Sequence, residues 1–178
     1  MERPPKIGVA FLLSQVGARS AQEFARLLEP LKLSPADAGI LRLLRQSPGI
    51  SQQRLAETLG MHASRLVAIV DALESRKLIA RAPNPEDRRL YSLHLTAHGA
   101  ETLAEIGEIA RTHNDLMCAG LKATEVEQLA ALLQKVATAQ GLAPKVHPGY
   151  KELGKNRKKG LQPIAGTRKA NKSSTTQR

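Results

Sequence analysis

Residues 55–99 read LAETLGMHASRLVAIVDALESRKLIARAPNPEDRRLYSLHLTAHG, and this stretch decides the fold. Its first half has two helical periods separated by Gly60, a residue that readily ends a helix. Its second half has two short β-capable runs, at 78–82 and 90–95, whose polar connection predicts a hairpin. The order of helix, turn, helix and hairpin is typical of a winged helix-turn-helix.

Serine and threonine side chains mark the starts of several predicted helices. Ser34 precedes a proline suited to the first helical position, and Ser51 and Thr96 stand where an N-cap oxygen can accept a backbone N–H. Pro30 ends the first helix because its ring cannot continue a helix interior. The helices are predicted at 7–28, from 35 to about 48, at 51–59, and at about 63–76, 97–119 and 123–140.

Two of these helices carry a wide apolar face. In the helix at about 63–76 the apolar residues form a single stripe, which predicts that this face is buried. In the last helix the spacing of the apolar residues predicts one face that packs against another element. The stripe consists of Leu66, Val67, Ile69, Val70 and Leu73, and the packed face of Leu129, Leu132, Leu133 and Val136.

The composition favours a mainly α protein. Hydrophobic residues make up 42% of the 178, but aromatic residues only 2%, so the core is built from aliphatic side chains. Cys118 is the single cysteine, which excludes a disulfide within the chain and predicts a reducing, cytoplasmic setting. No apolar run is long enough to span a membrane, and no signal peptide is expected.

The positive charge is unevenly distributed. The chain has a net charge of +11, yet residues 145–178 contain ten lysines and arginines against one glutamate. We therefore expect a folded domain over 1–143, with a DNA-binding core at about 34–96, and a basic, disordered tail over 144–178. Two interpretations of the tail stay open: a solvated extension, or a segment that attracts nucleic-acid phosphates.

The start of the helix at 63–76 is the first candidate DNA contact. His62, Ser64 and Arg65 lie where the second helix of such a motif enters the major groove of double-stranded DNA. Alternatively, Ser64 serves only as a helix cap and Arg65 as an ordinary surface cation. At the hairpin tip, Arg88 and Arg89 can enter the minor groove, although a solvated turn would have the same composition.

The same stretch resembles the multiple antibiotic resistance regulator (MarR) family. The resemblance rests on Asp87-Arg88-Arg89 in the hairpin and on Leu95-Thr96 and Gly99 at its exit. It implies a homodimer whose first and last two helices interlock, bound to a pseudo-palindromic operator. It also implies that Arg89 is the wing-tip contact and that Asp87 supports the wing. The sequence departs from the family pattern at Lys77, where many members have glycine.

Relatives often bind small aromatic or anionic effectors, so the resemblance also implies an effector cleft. Arg19 on the first helix and His113 on the long helix are candidate ligands for such a molecule. The alternative is that they form a surface salt bridge and an ordinary helix contact. A repressor released by its effector is the resulting prediction.

Other chemistry has little support in the sequence. The histidines and the single cysteine form no zinc-binding set, and no nucleophile elbow, P-loop or dinucleotide-binding glycine pattern occurs. We therefore expect no metal, no cofactor and no enzyme activity. Two rival classes remain, an effector-independent architectural DNA-binding protein and a winged-helix adaptor that binds other proteins.

Overall fold

The computed structural model describes residues 7–83 and 91–142. In this part of the chain, six α-helices accompany a small three-stranded sheet, which confirms a mainly α fold with a hairpin. In chain order the elements are α1 Val9–Leu28, α2 Pro35–Gln46, β1 Ile50–Ser51, α3 Gln52–Leu59, α4 Ala63–Ser75, β2 Ile79–Pro83, β3 Tyr91–Leu95, α5 Ala97–Met117 and α6 Ala123–Ala139.

The sheet is antiparallel in the order β1-β3-β2. Strands β2 and β3 pair from Ile79 opposite Leu95 to Pro83 opposite Tyr91, which confirms the predicted hairpin. The third strand, β1, was not predicted and pairs Ile50 with Leu93. Two residues are too few to show the alternation by which a strand is recognised in a sequence.

The predicted helix caps are confirmed. Ser34 Oγ accepts the N–H of Asp37 at 3.2 Å, and the Asp37 carboxylate accepts the Ser34 N–H at 2.8 Å, which completes a capping box. Ser51 and Thr96 each accept a backbone N–H three residues further on, at 3.1 and 2.9 Å. These local bonds fix where α2, α3 and α5 begin.

The hydrophobic core lies among α2, α3, α4 and the sheet. On α4 the fully buried residues are Leu66, Val70 and Leu73, a narrower stripe than predicted. Ile69 is half-buried, and the prediction that Val67 is buried is wrong, because 38% of this residue is exposed. Val67 lies at the edge of the stripe, where periodicity alone does not separate core from surface.

The junction between α4, β2 and α5 is held by backbone carbonyls. Helix α4 ends at Ser75, and Lys77 adopts the left-handed conformation with φ 58°, although it carries a side chain. Thr96 Oγ1 donates to the Lys77 carbonyl at 2.5 Å, and the Thr96 N–H donates to the Leu78 carbonyl at 3.2 Å. A Cβ at Gly99 would lie only 1.9 Å from the Leu78 oxygen, so this close approach requires glycine.

Candidate nucleic-acid interface

The turn between α3 and α4 presents the start of α4 to solvent. Gly60 has φ 61°, a left-handed conformation that closes α3 and redirects the chain. Buried Met61 anchors the turn, and His62 is the N-cap residue of α4, with extended backbone and no side-chain capping bond. Ser64 is therefore the second helical residue, and the alternative that it caps the helix is wrong.

The predicted contacts on α4 are accessible. His62 and Ser64 are exposed, and Arg65 is partly exposed. Because α4 advances by about 100° per residue, Ser64 lies opposite the buried stripe and Arg65 on one flank. These three side chains thus occupy the free N-terminal end of the second helix.

An arginine that we did not single out in the sequence joins the hairpin to α4. Arg81 in β2 is only 19% exposed, and its guanidinium donates to Asp71 Oδ1 at 2.5 Å and also to the Glu74 carboxylate. Its backbone N–H donates to Glu74 at 3.2 Å, and Gln52 at the start of α3 accepts a longer bond at 3.5 Å. One side chain thereby fastens β2 to both helices of the motif.

The electrostatics of Arg81 favour its charged form. Burial opposes the charge, but the hydrogen bond to Asp71 and the attraction of Glu74 outweigh burial and raise the pKa of Arg81 above its usual range. In return the guanidinium offsets two negative charges on α4. The sequence does indicate an acidic pair on one face of α4, since Asp71 and Glu74 are three residues apart on the same helix. Their cationic partner could not be identified without the tertiary fold.

The predicted contacts at the hairpin tip lie outside the described residues. Asp87, Arg88 and Arg89 belong to the segment 84–90, so their positions stay a prediction. The described strands define where this segment starts and ends, because Pro83 and Tyr91 are paired across the hairpin.

The two predicted effector ligands lie on neighbouring helices around a buried carboxylate. Glu23 on α1 is only 8% exposed. Arg19, one turn earlier, forms an ion pair with Glu23 at 3.2 Å, and Arg26 donates to it through Nε at 2.9 Å. The predicted surface salt bridge of Arg19 is therefore present.

His113 on α5 contacts the same part of α1. Its Nε2 lies 3.0 Å from the Ser20 carbonyl oxygen and 3.3 Å from Ser20 Oγ, and its ring centre is 5.3 Å from that of Phe24. Arg19 and His113 thus lie near one another on the α1–α5 surface, each with a partner within the chain.

Glu23 makes the free energy of unfolding vary with pH in the acid range. The hydrogen bond from Arg26 lowers the pKa of the Glu23 carboxyl below its ordinary value of 4.5; burial opposes this effect, and the charges of Arg26 and Arg19 add to it. A lowered pKa stabilises the fold above about pH 4.5, and this contribution disappears as the pH falls through the folded-state pKa.

We expect the free energy of unfolding of Glu23→Gln to fall short of the wild type by a constant amount above pH 4.5, and by less at more acid pH. Denaturant titrations from pH 7 to pH 3 measure this difference. As a second check, Arg26→Gln should raise the pKa of Glu23, read from its carboxyl chemical shift. A Glu23 pKa that does not change in that variant would contradict the assigned cause.

Large apolar side chains remain exposed on α1 and α6. No residue of α6 is buried, so the leucine-rich face predicted to pack does not pack within a single chain. The exposed apolar residues of the two helices are Val9, Phe11, Leu12, Leu13 and Val16 on α1, and Leu129, Leu132, Leu133 and Val136 on α6. None of the helices in the described residues is long and apolar enough to cross a membrane.

The helix pair joined at Gly60, the three-stranded sheet and the accessible start of α4 define a winged helix-turn-helix DNA-binding protein. Residues 33–91 match the family model described as "MarR family". A proposed transcriptional regulatory protein for the hcr operon of Thauera aromatica is 33% identical over 116 residues, which cover 65% of this chain and 70% of that protein. The chain belongs to the MarR family.

Solved structures agree with this assignment. A transcriptional repressor, CouR, bound to a 23-mer DNA duplex is 33% identical with a TM-score of 0.65, over 76% of this chain and 99% of that one. A mutant of MarR from Escherichia coli is 26% identical with a TM-score of 0.67, over 74% and 98%. The chain is a DNA-binding transcriptional regulator of this family, and regulators of this family are not enzymes.

Proposed function

We propose that the chain acts as a homodimer that binds one pseudo-palindromic operator. Each subunit inserts the start of α4 into a major groove, with His62, Ser64 and Arg65 as contacts, and the hairpin tip into the adjacent minor groove. The observation that carries the proposal is the accessible N-terminal end of α4 beside a hairpin fastened to it by Arg81. A related MarR mutant from Escherichia coli, 26% identical with a TM-score of 0.61, is solved in complex with operator DNA, which supports operator binding by this chain.

At the hairpin tip we assign Arg89 to the minor groove, Asp87 to its support and Arg88 to a phosphate. In this proposal residues 1–143 form the regulator, which acts in the cytoplasm, and 144–178 a basic tail. The charge of residues 145–178 favours one second candidate, an architectural protein that binds DNA without an effector.

We expect Arg89→Ala to weaken operator binding by on the order of 30-fold at moderate salt, because a minor-groove arginine contributes both hydrogen bonds and charge in each half-site. Titration of a fluorescent operator measures the affinity. Arg111→Ala is the matched control, since Arg111 lies on α5 and 69% of its side chain is exposed beside Glu108. An unchanged affinity of the Arg89 variant would remove the wing from the mechanism.

The exposed apolar faces of α1 and α6 support the homodimer. Monomeric proteins rarely leave so many large apolar residues on the surface, and a dimer interface removes them from water. Leu132 is 59% exposed and Phe11 is 61% exposed, values that suit an interface better than a free surface. Since both helices lie outside the DNA-binding unit, the dimer would present two copies of α4 to the DNA.

We expect Leu132→Glu to raise the dissociation constant of the dimer by on the order of 100-fold, because two carboxylates would be buried at the interface. Sedimentation velocity over a range of concentrations measures the change. Gln134→Glu adds the same charge at an exposed polar position of α6 and should leave the dimer intact. Equal dimerisation of both variants would place the interface elsewhere.

For release from DNA we propose a small aromatic or anionic effector bound between α1 and α5 near Arg19 and His113. Two contacts support communication between this surface and α4. Arg76, which follows α4, donates to the carbonyls of Leu31 and Lys32 at 2.8 Å each, and so links α4 to the short turn that follows α1. Thr96, the N-cap residue of α5, donates to the carbonyl of Lys77 and so links the end of α4 to the start of α5. An effector that favours another spacing of the two α4 helices shifts the population away from the DNA-binding state.

A further inference from the structure

The solvent-facing side of α4 has an unusual composition for a helix that reads DNA. Within Ala63–Ser75, Arg65 is the one cationic residue, and the helix contains no lysine, asparagine or glutamine. The helix instead exposes small or aliphatic groups, among them Val67, which is 38% exposed. The exposed residues of α4 are Ala63, Ser64, Val67, Ala68, Asp71, Ala72 and Ser75.

This composition limits the bases that α4 can recognise. Guanine is read in the major groove by arginine or lysine, and adenine by asparagine or glutamine. Asp71 could accept from cytosine, but its Oδ1 already accepts a 2.5 Å hydrogen bond from Arg81. Apart from Arg65 and the Ser64 hydroxyl, the first two turns therefore offer the groove mainly methyl groups.

The methyl groups of Val67 and Ala68 match one feature of the major groove, the C5-methyl of thymine. Val67 lies one helical turn after Ala63 and Ser64, close enough to the start of α4 to enter the groove with them. A valine left 38% exposed on this face gains burial only when an apolar group covers it.

We propose that Val67 is a specificity-determining residue that packs against a thymine C5-methyl in each half of the operator, with Ala68 allowing the close approach. This inference rests on the proposed entry of α4 into the major groove. It adds the chemical identity of the base that the helix selects. Val67 thereby belongs to the DNA-reading surface and not to the core.

The test removes single methyl groups from the DNA. The operator is first selected from random duplexes with the full-length protein, and each thymine is then replaced by deoxyuridine, which lacks only the C5-methyl. We expect replacement at one position in each half-site to weaken binding of the protein to the operator by about fourfold for each methyl group removed. In Val67→Ala the thymine operator should bind more weakly, and the deoxyuridine effect at that position should fall below about 1.5-fold. Val67→Thr, which keeps one methyl group and the side-chain shape, should retain part of the effect.

Three results would overturn the inference. If no replacement changes wild-type affinity, α4 reads no thymine methyl, although the enriched operator still supports the proposed function. If the loss is equal in the wild type and in Val67→Ala, another side chain makes the contact. If the selection enriches no sequence at all, both the inference and the proposed site-specific binding fail.

Discussion

Gly99→Ala should destabilise the protein by about 3 kcal/mol, a large effect for a single added methyl group. The added Cβ would lie 1.9 Å from the Leu78 carbonyl oxygen, well inside van der Waals contact, and that oxygen belongs to backbone that cannot rotate away. Relief requires α5 to move away from the start of β2, which breaks the bonds from Thr96 to Lys77 and Leu78. Urea denaturation followed by circular dichroism measures the loss.

Gly107→Ala is the matched control, because Gly107 lies on the same helix and its Cβ would meet nothing within 4 Å. Alanine should leave stability unchanged or raise it by up to about 1 kcal/mol through helix propensity. If both glycine variants were equally stable, the close approach of α5 to β2 would not exist as described.

Arg81→Met should weaken operator binding by on the order of 50-fold while the protein stays folded. Methionine keeps the approximate length of the side chain, but it leaves the carboxylates of Asp71 and Glu74 without their guanidinium on the helix that approaches phosphates. The hairpin also loses the side-chain bonds that link it to α4 and keeps only the backbone bond to Glu74, so the wing is held less firmly beside the groove. Operator titration and urea denaturation, run on the same preparations, separate the two effects.

Two further variants sharpen this prediction. Arg111→Met removes the same charge from an exposed ion pair on α5, and should change operator affinity less than about threefold. Arg81→Met combined with Asp71→Asn and Glu74→Gln should recover part of the lost affinity, because the uncompensated negative charge is gone. An Arg81→Met variant that binds the operator like the wild type would show that the link does not position the wing.

Local signals in the sequence predicted most of the fold. Each N-cap depends on a bond across three residues, so Ser34, Ser51 and Thr96 could be recognised without knowledge of the tertiary structure. The helix-turn-helix could be predicted too, because Gly60 and the helical periods on either side of it are also local features of the sequence. The strand Ile50–Ser51 was not predicted, because it pairs with β3, which lies some forty residues further along the chain.

Features that depend on packing were harder to predict. Burial of Val67 was inferred from periodicity, but the width of a buried stripe is set by neighbouring elements, and Leu66, Val70 and Leu73 already fill this one. The partners of Arg81 lie on another element of the fold, so they could not be identified without the tertiary structure. Arg19 and Arg26 lie on the same helix as Glu23, at a spacing that the sequence does show. The hairpin-tip contacts Asp87, Arg88 and Arg89 stay predictions from the motif.

A footprint of the full-length protein on the DNA upstream of its own gene tests whether the dimer binds one specific operator. We expect one short protected site with two-fold symmetry, whose half-sites lie about one helical turn apart or a multiple of it. Diffuse protection that grows with concentration would contradict it in favour of an architectural protein, and a complete lack of protection would contradict it in favour of a protein-binding adaptor.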